Sequence, residues 1–200
     1  MLNDSMPSTF AFETERLRMR LLQADDETLF LDLYTDAETM RHIGEPLSPE
    51  RAARSFRKVL KTASASPPER IFLAILEKAS QRPLGTCAIV QFDGGMTRAE
   101  VGIMLVSGAR AQGYSKECMT GLVTWAFAIF PIEEVWVQYS PGHSVAERSA
   151  ISIGFSPGAD IASDGDSPAQ RTWSVHRSSW SYTNAVNQQG EDNVERHQLS

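Results

Sequence analysis

The segment Val106-Ser107-Gly108-Ala109-Arg110-Ala111-Gln112-Gly113-Tyr114-Ser115 joins a strand-like run to a helix-like run. The first amides of a helix have no intrahelical acceptor, and the helix dipole adds positive potential there, so such a junction can hold an anion. Gly113 removes a side chain where a ligand would come closest. Arg110 offers a charge-assisted contact and Ser115 a hydroxyl. The chemistry is that of a phosphate or pyrophosphate site, although the same residues also fit an ordinary connecting loop. Neither GxxxxGK[ST] nor GxGxxG is present, which argues against a P-loop nucleotide hydrolase and against a dinucleotide fold.

Other chemistry-bearing residues are sparse. Cys87 and Cys118 are too far apart for a CxxC motif and lie in apolar stretches, so they read as buried free thiols in a reducing compartment. Asp164-Gly165-Asp166 resembles a fragment of a calcium loop, but the remaining ligands are missing and a surface turn is expected. No metal site is expected.

The elements that must position the loop follow from periodicity. Arg16 to Leu21 alternates charge and hydrophobe, a strand with one wet face, and its three arginines read as that solvated face. Asp25 to Tyr34 and Ser48 to Lys61 read as helices, the second with Ser48 as N-cap and Pro49 at the first position. Asp36 to His42 fits a short helical turn and Ala63 to Pro68 a loop. Strands are expected over Ile71–Glu77, Leu84–Phe92, Arg98–Val106, Glu134–Tyr139 and Arg171–His176, with a turn at Asp93-Gly94-Gly95. Ser115 to Phe130 is an amphipathic helix, and Ser144 to Ile153 a shorter one stopped by Gly154. The class is mixed α/β. Arg98–Val106 and Glu134–Tyr139 should run parallel, because a helix crosses between them.

Composition bounds the function. The 200 residues carry a net charge of -6, with 42% apolar and 22% charged residues. That describes one ordinary globular domain, large enough to need no disulfide framework or structural metal. The acidic balance argues against general nucleic-acid binding. Residues 1–9 and 183–200 read as polar tails, leaving a folded part over 10–182. The longest apolar tract, Trp125 to Ile132, is far short of the roughly 20 residues of a membrane helix, so a soluble, cytoplasmic protein without a targeting segment is expected.

Arg110-Ala111-Gln112-Gly113-Tyr114-Ser115 resembles the R/Q-x-x-G-x-G/A acetyl-CoA loop of the GNAT (Gcn5-related) N-acetyltransferases. The resemblance runs over about residues 11–180, in one order. Glu13 to Arg20 looks like the opening strand of the branch that acetylates ribosomal-protein N-termini, the RimJ/RimL type. Ala99-Glu100-Val101-Gly102-Ile103 resembles its fourth strand, and Gly113-Tyr114-Ser115-Lys116-Glu117 with Trp125-Ala126-Phe127 its coenzyme helix. Ile153-Gly154-Phe155 and Trp173 to Trp180 resemble its closing elements. The resemblance implies a mostly antiparallel mixed sheet of six to seven strands, with its fourth and fifth strands splayed and about four flanking helices. It implies acetyl-CoA or another acyl-CoA as co-substrate and no metal. Pantetheine would lie along Met104, Leu105 and Val106, and the pyrophosphate on the amides of Ala111 to Ser115. Tyr34, Glu38 and Arg41 to Gly44 fall where the family lines its acceptor site.

Direct attack by an amine on the thioester needs a base, an oxyanion donor and a proton for the departing thiolate. Glu100 is the candidate base, with a structural ion pair or cap as the alternative. The branch's Asn-x-x-Ser pattern falls here on His143 and Ala146, and alanine donates no proton. Tyr139 is a candidate donor and His143 a candidate acid or base near neutral pH, against readings as an interior aromatic and a helix-start residue. Ser144 should face elsewhere on its helix.

The expected function is acyl-CoA-dependent N-acylation of a primary amine, a protein N-terminus or a small molecule, by a monomer or homodimer. The alternative is a non-catalytic acyl-CoA sensor. The acidic balance suggests a cationic acceptor, and it requires local geometry to hold the anionic coenzyme.

Overall fold

Alternation of side chains along each strand builds the sheet, and the computed structural model describes it over residues 10–62, 70–163 and 169–181. The strands are β1 Ala11–Glu13, β2 Leu17–Leu21, β3 Ile71–Glu77, β4 Pro83–Phe92, β5 Arg98–Leu105, β6 Glu134–Tyr139, β7 Ser156–Pro157 and β8 Arg171–His176. The helices are α1 Glu27–Thr35, α2 Ala37–Met40, α3 Pro49–Thr62, α4 Tyr114–Ile129 and α5 Ser144–Ile153. One sheet orders the strands β1-β2-β3-β4-β5-β6-β8-β7. Only β5 and β6 are parallel, as a helical crossover between them demands.

Eight strands and five helices exceed the expected six to seven and four for local reasons. The run expected as one opening strand is interrupted: Thr14 donates its N–H to Leu17 O at 2.9 Å, turning β1 back on β2. β7 has two residues, too few for a periodic signal. The fifth helix, α2, is a single turn capped by Asp36, whose carboxylate accepts from Thr39 N–H at 2.7 Å. The expected turn after β4 is present, with Asp93 Oδ1 accepting the N–H of Arg98 at 2.8 Å. The tails at 1–9 and 183–200, the loop at 63–68 and Asp164-Gly165-Asp166 lie outside the described residues.

Two apolar clusters cover the two faces. On β3, Ile71, Leu73 and Ile75 face α4 and α5, whereas Ala74 faces α1 and α3. Leu122, Val123 and Ala126 of α4 are fully buried in the first cluster. Phe30 and Phe56 join α1 to α3 in the second, with ring centroids 5.3 Å apart. Arg177 closes the far end of α4, donating to Phe127 O at 2.6 Å, Phe130 O at 2.7 Å and Ile132 O at 2.8 Å. These are carbonyls of the kind a helix C-terminus leaves unsatisfied. Among the described residues, no helix is long and apolar enough to cross a membrane.

Candidate active site

The parallel ladder between β5 and β6 has three pairs, Arg98↔Glu134, Ala99↔Val135 and Glu100↔Trp136. Beyond them the strands part, β5 running on to Leu105 and β6 to Tyr139. The result is a wedge whose walls carry unpaired backbone edges. On the other side of β5, the register with β4 shifts between Ile89 and Gln91, so Val90 is an extra residue opposite Glu100 and Val101. A bulge there re-aims the local side chains. β4 meets the end of β5 at Gly85, where a Cβ would lie 2.0 Å from Met104 O. Only glycine permits that approach.

Glu100 sits where the wedge opens and is 8% exposed. Its Oε1 accepts from Gln138 Nε2 at 2.9 Å. Burial raises its carboxyl above the ordinary glutamate value, offset in part by the Gln138 bond and the charge of Arg70. Glu100 is therefore a better base than a surface glutamate, and it has no ion pair among the described residues.

Tyr139 lies on the opposite face, packed with the α4–α5 cluster. Its hydroxyl is buried without a hydrogen-bond partner among the described residues. Burial, with Glu147 adding to it, pushes it up to about 12, so it stays protonated. The Trp173 indole N–H lies toward it without completing a bond. His143 is the N-cap position of α5, and its ring stacks on His42 with centroids 3.9 Å apart. Burial, then the charges of His42 and Arg41, lowers its pKa. Ser144 is exposed, whereas Ala146 packs against the core.

The loop before α4 is shaped by two left-handed residues, Ala111 (φ 58) and Gly113 (φ 79), with Gly113 as the helix N-cap. A left-handed residue next to a right-handed one, as Gly113 is to Tyr114, aims successive amides into an anion-binding concavity. The N–H groups of Ala111, Gln112, Gly113, Tyr114 and Ser115 find no backbone acceptor among the described residues. Ala111, Gln112 and Gly113 are exposed.

Several side chains depart from their expected places. Tyr114 is buried, and its hydroxyl donates to Glu77 Oε1 at 2.5 Å, so only its amide faces the loop. Arg110 turns away from the helix start, donating Nε to Leu105 O at 3.3 Å and Nη2 to Thr39 Oγ1. Val106 N–H is engaged with Leu84 O at 2.9 Å. Of the strand-end residues expected along pantetheine, Leu105 thus has its carbonyl and Val106 its amide already in use.

The arginines of β2 and the residues just before it are paired rather than merely solvated. Arg18 meets Glu13 at 2.7 Å and Arg20 meets Asp26 at 2.7 Å. Arg16 meets Glu117 at 2.6 Å, lies 4.5 Å over the Tyr114 ring and donates to Gln112 O at 3.1 Å. Arg16 and Glu117 hold the first turn of α4, a role that sequence reading missed; a Glu at the fourth position of the helix is the local hint. Cys87 and Cys118 are buried and free. No group of three His, Cys, Asp or Glu among the described residues could hold a metal ion.

A splayed parallel pair in an otherwise antiparallel sheet, followed by an exposed amide loop at a helix start, defines a GNAT fold. The family model described as "Acetyltransferase (GNAT) domain" matches residues 16–156, and the chain belongs to that family, the GNAT N-acetyltransferases. Solved structures agree. RimL, the ribosomal L7/L12 alpha-N-protein acetyltransferase in complex with coenzyme A, superposes with a TM-score of 0.71 at 13% identity, over 83% of this chain and 97% of its own. The ribosomal-protein-S5-alanine acetyltransferase from Vibrio fischeri gives 0.67 at 15% identity, over 86% and 98%. The microcin C7 self-immunity acetyltransferase MccE, with acetyl-CoA and AMP, gives 0.69 at 12% identity, over 81% and 93%. No curated protein sequence matches the chain.

Proposed function

We propose that this GNAT enzyme is an acetyl-CoA:amine N-acetyltransferase of the RimJ/RimL type, cytoplasmic, acting on a protein N-terminal amine or a small primary amine. One observation carries the reading: Glu100 sits at the opening of the wedge, and the unspent amides of Ala111 to Ser115 lie beyond its β5 wall. The pyrophosphate rests on those amides and pantetheine runs along the β5 edge at Met104 to Val106. Glu100, through its raised pKa, takes the proton from the attacking ammonium. The amine nitrogen then bonds to the thioester carbonyl carbon, the C–S bond breaks, and the second proton of that nitrogen is released to water as the amide forms. A backbone N–H of the parted strand stabilises the oxyanion. Tyr139 or His143 returns a proton to the thiolate; the buried, unpartnered Tyr139 hydroxyl favours the tyrosine.

The test is thiol release from acetyl-CoA against a panel of peptides and small amines, alongside calorimetry with coenzyme A. Binding together with turnover on at least one amine is expected. No coenzyme binding at millimolar ligand overturns the reading. Ala146, in place of a hydroxyl on α5, favours a second reading as an acyl-CoA sensor. Coenzyme binding without turnover on any amine of the panel supports that one.

A further inference from the structure

The two parting strands lead to the same short segment. Arg110, just beyond β5, grips Leu105 O with Nε at 3.3 Å and Thr39 Oγ1 with Nη2, and Asp36 Oδ2 lies 3.8 Å from that Nη2. Asp36 in turn caps α2, accepting from both the N–H and the hydroxyl of Thr39. The Thr39 hydroxyl, then its N–H, hold the Asp36 carboxyl below the usual range, and the charge of Arg110 adds to this. At the other side, Ser140, just beyond β6, donates its hydroxyl to His42 O at 3.1 Å. The His42 ring stacks on His143. The segment from Asp36 to His42 therefore spans from the end of one strand to the end of the other, across the mouth of the wedge.

We propose that Asp36–His42 is a strap over the wedge, and that Arg110 is a positioning residue passing occupation of the coenzyme loop on to that strap. The inference rests on the coenzyme site of the acyltransferase reading. Arg110 directly precedes the left-handed Ala111, and an anion seated on the following amides fixes the backbone there. Because the guanidinium ties that backbone to Thr39 and to the strand end, fixing one orders the other. The strap thereby shapes the acceptor side only when the acyl donor is in place. A rigid, forked guanidinium suits this three-way contact, where a lysine would reach one partner.

Hydrogen exchange of peptides covering residues 36–43, with and without coenzyme A, tests the coupling, with calorimetry on the same samples. In the unaltered protein, coenzyme A is expected to slow exchange there at least threefold. In Arg110→Gln, coenzyme A is expected to bind within tenfold of the unaltered affinity while the slowing disappears. Asp36→Asn, which touches no part of the amide loop, is expected to lose the slowing too. Exchange in the unaltered protein that is indifferent to bound coenzyme A overturns the proposal. So does a loss of affinity above tenfold in Arg110→Gln, which would make Arg110 a phosphate ligand. If the unaltered protein binds no coenzyme A, the acyltransferase reading itself fails, and calorimetry separates that result from a failure of the coupling.

Discussion

Gln138 donates to Glu100 at 2.9 Å across the point where β5 and β6 part. The strands share no ladder bond beyond Glu100↔Trp136, so a side-chain amide makes the first link past it. Gln138 is exposed and Glu100 buried, so the bond reaches inward from the rim and fixes the carboxylate. Glu100→Gln should lower kcat/KM for acetyl transfer about 100-fold, the usual scale of a lost general base, with coenzyme affinity unchanged. Gln138→Leu removes a bond that lowers the Glu100 pKa, so the acidic limb of the pH–rate profile should move to higher pH. Steady-state kinetics across pH 5–9 check both.

Gly113 has φ 79, and a Cβ there would lie 3.3 Å from an Arg16 guanidinium nitrogen. Gly113→Ala should therefore cost about 1 kcal/mol of stability. Gly113→Asp adds a carboxylate beside the amides assigned to the pyrophosphate, and should abolish coenzyme A binding. Calorimetry and thermal unfolding separate the two effects, and unchanged affinity in the aspartate variant would sink the assigned loop.

Burial, then the charges of His42 stacked on it and of Arg41, lowers the His143 pKa; Tyr139 and Ser140 add no charge nearby. Its folded pKa is below its unfolded one, so the unfolded chain takes up the proton first as pH falls. The folded state thus keeps its full stability above the unfolded value of about 6.5 and loses some as pH drops from there through the lowered value. Urea unfolding between pH 7.5 and 5 should show this slope, and His143→Ala should flatten it.

Arg177 holds three carbonyls around the end of α4 and lies 5.1 Å over the Phe127 ring. Arg177→Ala should lose about 2 kcal/mol, the scale of a charge-assisted hydrogen bond left unmade. The loop assigned to the coenzyme is at the opposite end of α4, so coenzyme affinity should not change. Denaturant melts and calorimetry on one preparation test this contrast.

Strands bounded by their own periodicity were legible in the sequence. Glu134–Tyr139 falls where its alternation places it, and Ile71–Glu77 is a continuous apolar run because both faces of that strand are covered. The parallel pairing of β5 and β6 followed from chain connection alone. What stayed hidden depends on partners far along the chain. Arg16 and Glu117 are 101 residues apart, and alternating arginines on a strand look the same whether they meet water or a carboxylate. Arg110 and Thr39 are 71 apart, so a loop arginine that reads as an anion ligand turns instead to a helix on the other face. Tyr114 fits the coenzyme loop by its place in the motif, yet the helix turn sends its ring inward to Glu77. Motif position set the backbone's role, while the side chain's direction was set by tertiary packing.

Gly85 never borders the wedge, since β5 stands between them. Its missing side chain is nonetheless what lets the Met104 carbonyl settle against β4. A single methyl at that position would push the strand end outward into the space assigned to pantetheine. Gly85→Ala should therefore behave as a coenzyme-affinity mutation made from one strand away. If pantetheine runs where it is assigned, the room beside β5 is set by a residue of the neighbouring strand β4.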